Sequence, residues 1–354
     1  MPSLYNIFLL SSGANGRLDP VPASQFNFIS NNAGSVILGS NTNRMCGDNS
    51  SILAGQNNLI TGITTPGAEI LGANLIGGGS DNCIIKAGSA ILGSSSNCLE
   101  GINSTIVAST YTLVRGNNSL SVGNGNTICG DADSILGGDG HFIKGRTSSI
   151  MGGNANCIVS CCNSIIGGGY FNKIASACFG FLGGGGGNYV GGVGGVLGGG
   201  DGNCSLCILS FVGGGKQNLE SACFSVIGGG SFNQTGPGTG THTFESYQVV
   251  AGGSYNRAIW EGSFVGGGFG NHASGCYSSV LGGRNNCISA NAYDSFIIGK
   301  NGNLTHNGAG LITDGQDRVH NSSGPHTLTL DFASGVFINP ADSNFLLNTT
   351  GIIV

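Results

Sequence analysis

Residues 165–218 read IIGGGYFNKIASACFGFLGGGGGNYVGGVGGVLGGGDGNCSLCILSFVGGGKQN. Four times over, an apolar pair is followed by a run of glycines and then by an asparagine. Taking one glycine per unit extends the series to Gly123, Gly137, Gly152, Gly167, Gly183, Gly198, Gly213 and Gly228, spaced by 14 to 16 residues. The pairs in front of each after the first are Ile135-Leu136, Ile150-Met151, Ile165-Ile166, Phe181-Leu182, Val196-Leu197, Phe211-Val212 and Val226-Ile227. The asparagines are Asn156, Asn172, Asn188, Asn203, Asn218 and Asn233. A short apolar run, a turn and a fixed period describe a parallel β solenoid of about 15 residues per coil, because one such unit cannot bury its apolar face alone and a stack of them can.

Working outward, the same column passes through Gly39, Ala54, Gly77, Gly93 and Ala108 on one side and Ala251, Gly266, Gly282 and Gly299 on the other, which gives 17 coils. The steps from Ala54 to Gly77 and from Gly228 to Ala251 are 23 residues long, one coil plus an 8-residue excursion each, near 62–69 and 235–242. The repeat domain is thus expected over 35–303. Residues 1–34, with Pro2, Pro20 and Pro22, do not repeat and are expected to form an N-terminal cap or docking segment, since an open solenoid end exposes unpaired backbone. Residues 304–354 break the period and are expected to be a separate C-terminal β cap or tip.

Composition agrees with an all-β chain. Among 354 residues there are 69 glycines and only 8% charged residues. Collagen needs glycine at every third position and disorder needs low hydrophobicity with high net charge, which 39% apolar residues and a charge of −5 exclude. The 12 Lys and Arg residues are scattered, so no basic stripe exists to neutralise phosphates and nucleic acid is not an expected partner. No stretch of about 18 apolar residues could span a bilayer. The run Leu4–Leu10 is broken by Asn6 and lacks a positive flank, so it does not read as a secretory signal.

Within each coil the apolar pair forms a short first arm, and strand alternation sends one member inward and one outward. The outward member is still large and apolar in nearly every coil. The second arm, after the asparagine, carries Lys173, Tyr189, Arg257 or His272 at its middle position, which therefore faces water. A strand apolar on both faces belongs to a sheet covered on both sides. A stripe of this length exposes on the order of 1,000 Å² or more, well beyond a monomer's usual patch, so identical chains are expected to bundle along it. Thirteen cysteines fall at fixed places in the repeat: Cys83, Cys98, Cys157, Cys204 and Cys287 directly follow the asparagine. They are expected to be free thiols acting as small apolar fillers in a chain assembled in a reducing cytoplasm. Neighbouring coils about 4.8 Å apart nevertheless place a pair such as Cys83 and Cys98 within disulfide range.

The coils resemble the left-handed β-rolls of trimeric YadA-like adhesin heads, and resemble still more closely the glycine-rich, asparagine-containing repeats of phage and virus tail-fibre proteins. The segment Asp314-Gly315-Gln316-Asp317-Arg318, followed by Leu328 to Ile338, is similar to one that follows such repeats in those fibres. The resemblance covers about three quarters of the chain. It implies a left-handed roll, a homotrimer and a particle-borne fibre on a virion surface, joined to other virion or fibre proteins through a terminal segment. The stalk and membrane barrel of a cell-anchored adhesin are not in this sequence.

Chemistry-bearing motifs are sparse. Cys204 and Cys207 form one C-x-x-C pair with no second pair or histidine at ligand spacing, so no metal is expected. Glycine runs lack the Lys-Ser/Thr of a phosphate loop, and no cofactor is expected. Asp131 with Asp133, and Asp314 with Asp317, are the only local carboxylate pairs for a glycan-cleaving spike. None of His141, His242, His272, His306, His320 and His326 sits in a nucleophile–base arrangement. Tyr170, Phe171, Phe232, Tyr255 and Phe269, with Trp260 nearby, stand at coil corners where aromatic faces could stack on sugars; covering the coil edge is the plainer role. The reading that results is a non-enzymatic structural fibre or adhesin, a rigid rod about 80 Å long for attachment to a host-surface glycan or protein. A glycan-degrading tailspike and a self-assembling filament subunit are the alternatives.

Overall fold

The computed structural model describes residues 8–9, 27–29, 34–38, 42–47, 49–61, 73–237 and 246–336. It is an all-β parallel solenoid of about 18 turns, with about 15 residues per turn. Each turn contributes one strand to each of two sheets. In the first sheet Ser149–Ile150 pairs in parallel with Ile165–Ile166, which pairs with Phe181–Leu182. In the second, Lys173–Ala175 pairs with Tyr189–Val190 and that with Cys204–Ser205.

The core is a double file of aliphatic side chains. Ile135, Ile150, Ile166, Leu182 and Leu197 from the first arm face Ile143, Ile158, Ile174 and Val190 from the second, all fully buried. The inner file turns polar over three successive second arms, where Ser205, Glu220 and Thr235 replace aliphatics.

Two buried columns join the turns at the corners. In the asparagine column each side-chain oxygen accepts the backbone N–H of the next rung, as from Asn172 to Asn156 at 3.0 Å, and the amide donates to carbonyls such as those of Gly168 and Gly185, at 2.9 Å each. At the opposite corner serines do the same work: Ser104 Oγ accepts from the Ser119 N–H at 3.1 Å and donates to the Gly116 carbonyl at 2.8 Å. Buried corner backbone must find partners within the chain, and these short polar side chains supply them. The serine column was not anticipated, although Ser119, Ser148 and Ser164 precede their first arms at the repeat period.

The register corrects the glycine alignment. Ile150 pairs with Ile166, so Met151 shares a rung with Gly167 and Gly152 with Gly168. The column that demands glycine is one place further on, at Gly138, Gly153, Gly169, Gly185, Gly200 and Gly215, where φ lies between 83° and 97°. A Cβ on Gly200 would stand 2.0 Å from the Gly215 carbonyl oxygen, so both the dihedral and the neighbouring backbone exclude a side chain.

Parallel pairing does not stop at 303. Gly302–Leu304 pairs with His320–Asn321, and Gly310–Thr313 with Leu328–Asp331, so the described part of the C-terminal segment stacks on the same two ladders. At the other end Phe28–Ile29 joins the second sheet beside Arg44–Met45, while Phe8–Leu9 runs antiparallel to Val36–Ile37. The excursion at 62–69, most of that at 235–242, and residues 337–354 lie outside the described residues, as does most of 1–34.

Candidate interaction surfaces

The outer face of the first sheet is built from two columns, the residues just before and just after each inward side chain. On the turns up to Met151 the large residue mostly stands after it: Leu53, Leu92, Leu136 and Met151, opposite Ser51, Ala90, Ser134 and Ser149. From Ile165 to Phe264 it stands before: Ile165, Phe181, Val196, Phe211, Val226, Val249 and Phe264, opposite Gly167, Gly183, Gly198, Gly213, Gly228, Ala251 and Gly266. At Leu281 it returns. Thus most turns carry one large and one small outward residue, and the large one stands before the inward residue throughout 165–264 and mostly after it on the earlier turns, the turn of Leu75 and Gly77 being an exception; Val36 with Leu38, Leu120 with Val122 and Phe296 with Ile298 are large on both.

The corner aromatics fall into groups. Phe232 and Tyr255 stack with centroids 4.8 Å apart and planes 3° from parallel, and Phe269 meets Tyr255 edge-on at 5.5 Å. Stacking covers the facing sides of Phe232 and Tyr255, and all three rings remain exposed. Tyr170 and Phe171 form an edge-to-face pair at 6.2 Å, four rungs away, roughly 19 Å at the strand spacing. The Tyr170 ring lies across the Gly186 rung, 2.3 Å from where a Cβ there would be, and is 54% exposed. Trp260 is not brought to either group: it lies on the other corner, between Arg257–Ala258 and Phe264–Val265.

That other corner carries a second aromatic column that sequence reasoning missed: Phe179, Phe224, Tyr247 and Tyr277, with Leu209 among them, all exposed. Phe224 and Tyr247 stack at 5.5 Å. Each stands immediately before the residue of the serine column, a period visible in the sequence. Like Phe171, Phe232 and Tyr255, they hold φ between 47° and 60°. Bulky side chains rarely accept that conformation, and comparable rungs use Asn103, Gly194 or Gly262.

One pair of cysteines departs from the expectation of free thiols. Cys207 and Cys223, on adjacent turns with Cα atoms 4.8 Å apart, form a disulfide, so the thiols are not all free and the C-x-x-C pair is split, Cys204 remaining reduced. Cys83, Cys98, Cys157, Cys204 and Cys287 lie on the water-facing column that follows the asparagine. They occupy the outward position of the second arm and are half-buried.

Several charged groups have defined partners. Glu220 is buried inside the roll, where its carboxylate accepts from the N–H groups of Leu206, Cys207 and Ala222 and from Ser225 Oγ; burial raises its pKa above the usual carboxylate range. Asp133 takes a serine-column place and burial pushes it up to about 6, so it does not share a surface cleft with Asp131. At the C-terminal end Asp314 accepts from the Ala333 and Gln316 N–H groups, which hold its carboxyl below the usual range, and Lys300 does the same to Asp317. Buried His320 donates from Nδ1 to Asp331 at 2.7 Å, and Arg318 pairs with the same carboxylate. Asp131 accepts from the Asn117 N–H and Asp133 from the Ser148 N–H, so the members of each sequence-local acid pair bind different groups.

Among the described residues no group of three or more His, Cys, Asp or Glu side chains is arranged to hold a metal ion, and no helix is long and apolar enough to cross a membrane. No model of a known protein family matches the chain, and no curated protein matches it.

Proposed function

We propose that this chain is a non-enzymatic structural fibre or adhesin subunit of a virus or phage particle, three copies of which bundle into a rigid rod that projects a recognition surface toward a host. The observation that carries the reading is the outer face of the first sheet. When copies are parallel and in register about an axis along the rod, the column before the inward residue on one copy meets the column after it on the next. Ile165, Phe181 and Val196 then oppose Gly167, Gly183 and Gly198, large against small on successive turns. Antiparallel copies bring like columns together and set large against large. The threefold count and the particle-borne setting rest on the resemblance of the repeats and of the segment after them to tail fibres and trimeric adhesin heads.

The recognition surface belongs at the corners and excursions, where side chains vary without disturbing the ladders. Sugar stacking belongs to the exposed corner rings, Tyr170 and Phe171 at one place on the rod and Phe232, Tyr255 and Phe269 at another. Native mass spectrometry together with negative-stain imaging of the purified chain tests the proposal. It predicts a species of three times the chain mass and a rod about 85 Å long over the 18 turns; a stable single-chain species with the first-sheet face in solvent overturns it.

A further inference from the structure

We infer that Cys83 and Cys98 form a reactive dithiol on the outer face of the second sheet, which closes into an inter-turn disulfide by exchange with a small-molecule disulfide. The two residues are registered partners on adjacent parallel strands, Cys83–Ile84 and Cys98–Leu99. Both are half-buried and outward, so they are reachable from solvent. Cys98 Sγ lies 3.9 Å from Glu100 Oε1, which sets a carboxylate beside one thiol of the pair. Elsewhere in the same roll, cysteines on neighbouring turns are already joined, with Cα atoms 4.8 Å apart. The strand spacing sets the same separation for Cys83 and Cys98, inside the range that a disulfide spans.

The pair is chemically asymmetric. The neighbouring Cys98 thiol lowers the Cys83 pKa against the opposing effects of burial and Glu100, whereas Cys83, burial and its own contact with the Glu100 carboxylate all raise that of Cys98. The Glu100 carboxylate that Cys98 Sγ contacts disfavours a second negative charge there, so Cys83 is the attacking thiolate and Cys98 the resolving thiol. The Cys83 thiolate displaces one thiolate from the small disulfide and forms a mixed disulfide. Cys98 then loses its proton and attacks Cys83 Sγ, expelling the second thiolate. Two protein thiols are oxidised to one disulfide while the small disulfide is reduced to two thiols.

Three other cysteines supply the internal control. Cys157, Cys204 and Cys287 occupy the same outward column but have no cysteine on the adjacent rungs, which carry Phe142 and Lys173, Tyr189 and Leu219, and His272 and Asn303. The test exposes the full chain to oxidised glutathione under native conditions, quenches with iodoacetamide and maps peptides by mass spectrometry. The expected product is a cross-linked peptide pair containing Cys83 and Cys98, while Cys157 and Cys287 end as thiols or glutathione adducts. Cys83 should be modified roughly tenfold faster than Cys157, whose pKa is raised by burial, and Cys98→Ser should trap the glutathione adduct on Cys83. Glutathione adducts persisting on both Cys83 and Cys98, or reaction of Cys83 no faster than that of Cys157, overturns the inference. The wild-type chain alone gives this result if the variant fails to fold.

Discussion

His141 Nδ1 accepts the backbone N–H of Asn156 at 3.1 Å, so a histidine fills a rung between Asn126 and Asn156 in the asparagine column. The ring completes the upward bond, but its Nε2 is buried without a partner. Burial lowers its pKa.

His141→Asn should restore the ladder. The gain expected is about 1 kcal/mol, the net worth of one buried hydrogen bond. Because the folded-state pKa of His141 lies below the unfolded value of about 6.5, its contribution is present above that pH and is lost as the pH falls through and below it, where the unfolded chain takes up a proton that the folded chain refuses. Thermal melts from pH 7.5 down to 5 should show a decline that the variant reduces.

Asp133 gives the opposite slope. Its folded-state value of about 6 lies above an unfolded value near 3.9, so stability is greatest below about pH 4 and declines as the pH rises through about 6. Asp133→Ser matches Ser119 and Ser148 on the neighbouring rungs and should raise stability by about 1–2 kcal/mol at pH 7 and by little at pH 4. Melts of the two proteins at both pH values check this.

Two glycines in look-alike runs should behave differently. Gly200→Ala meets a φ of 92° and a carbonyl oxygen 2.0 Å from the new Cβ, and should cost about 2 kcal/mol or more. A Cβ on Gly137 would have nothing within 4 Å, so Gly137→Ala should fold with near-wild-type stability. Equal losses in denaturant titrations would mean that the register is misassigned.

Charges on the first-sheet outer face should separate the copies. Val196→Asp and Leu136→Asp each place a carboxylate on a large-residue rung, and should weaken association roughly a hundredfold or more because an unpaired charge would have to be buried in every copy. Tyr189→Asp, outward on the second arm, should leave the mass unchanged. Sedimentation equilibrium of the three variants distinguishes the faces.

Much of the fold was legible because its requirements are local and recur. An apolar pair, a glycine corner and an asparagine every 15 or so residues fixed the solenoid, the two-arm turn and the apolar outer face of the first arm from sequence alone, since strand alternation and glycine's backbone freedom depend on a few adjacent residues. What only the tertiary structure decided depends on the neighbour one turn away. Gly152 and Gly167 look equivalent in their own runs, yet the 16-residue step from Ser149 to Ile165 shifts them onto different rungs. The period already set Cys83 beside Cys98, but that Cys207 finds Cys223 rather than Cys204 was not readable, because lateral contacts pair residues about 15 apart in directions that a single turn cannot specify. The stacking that occupies the Phe232 and Tyr255 ring faces has the same origin: each ring's surroundings are set by the rung beside it.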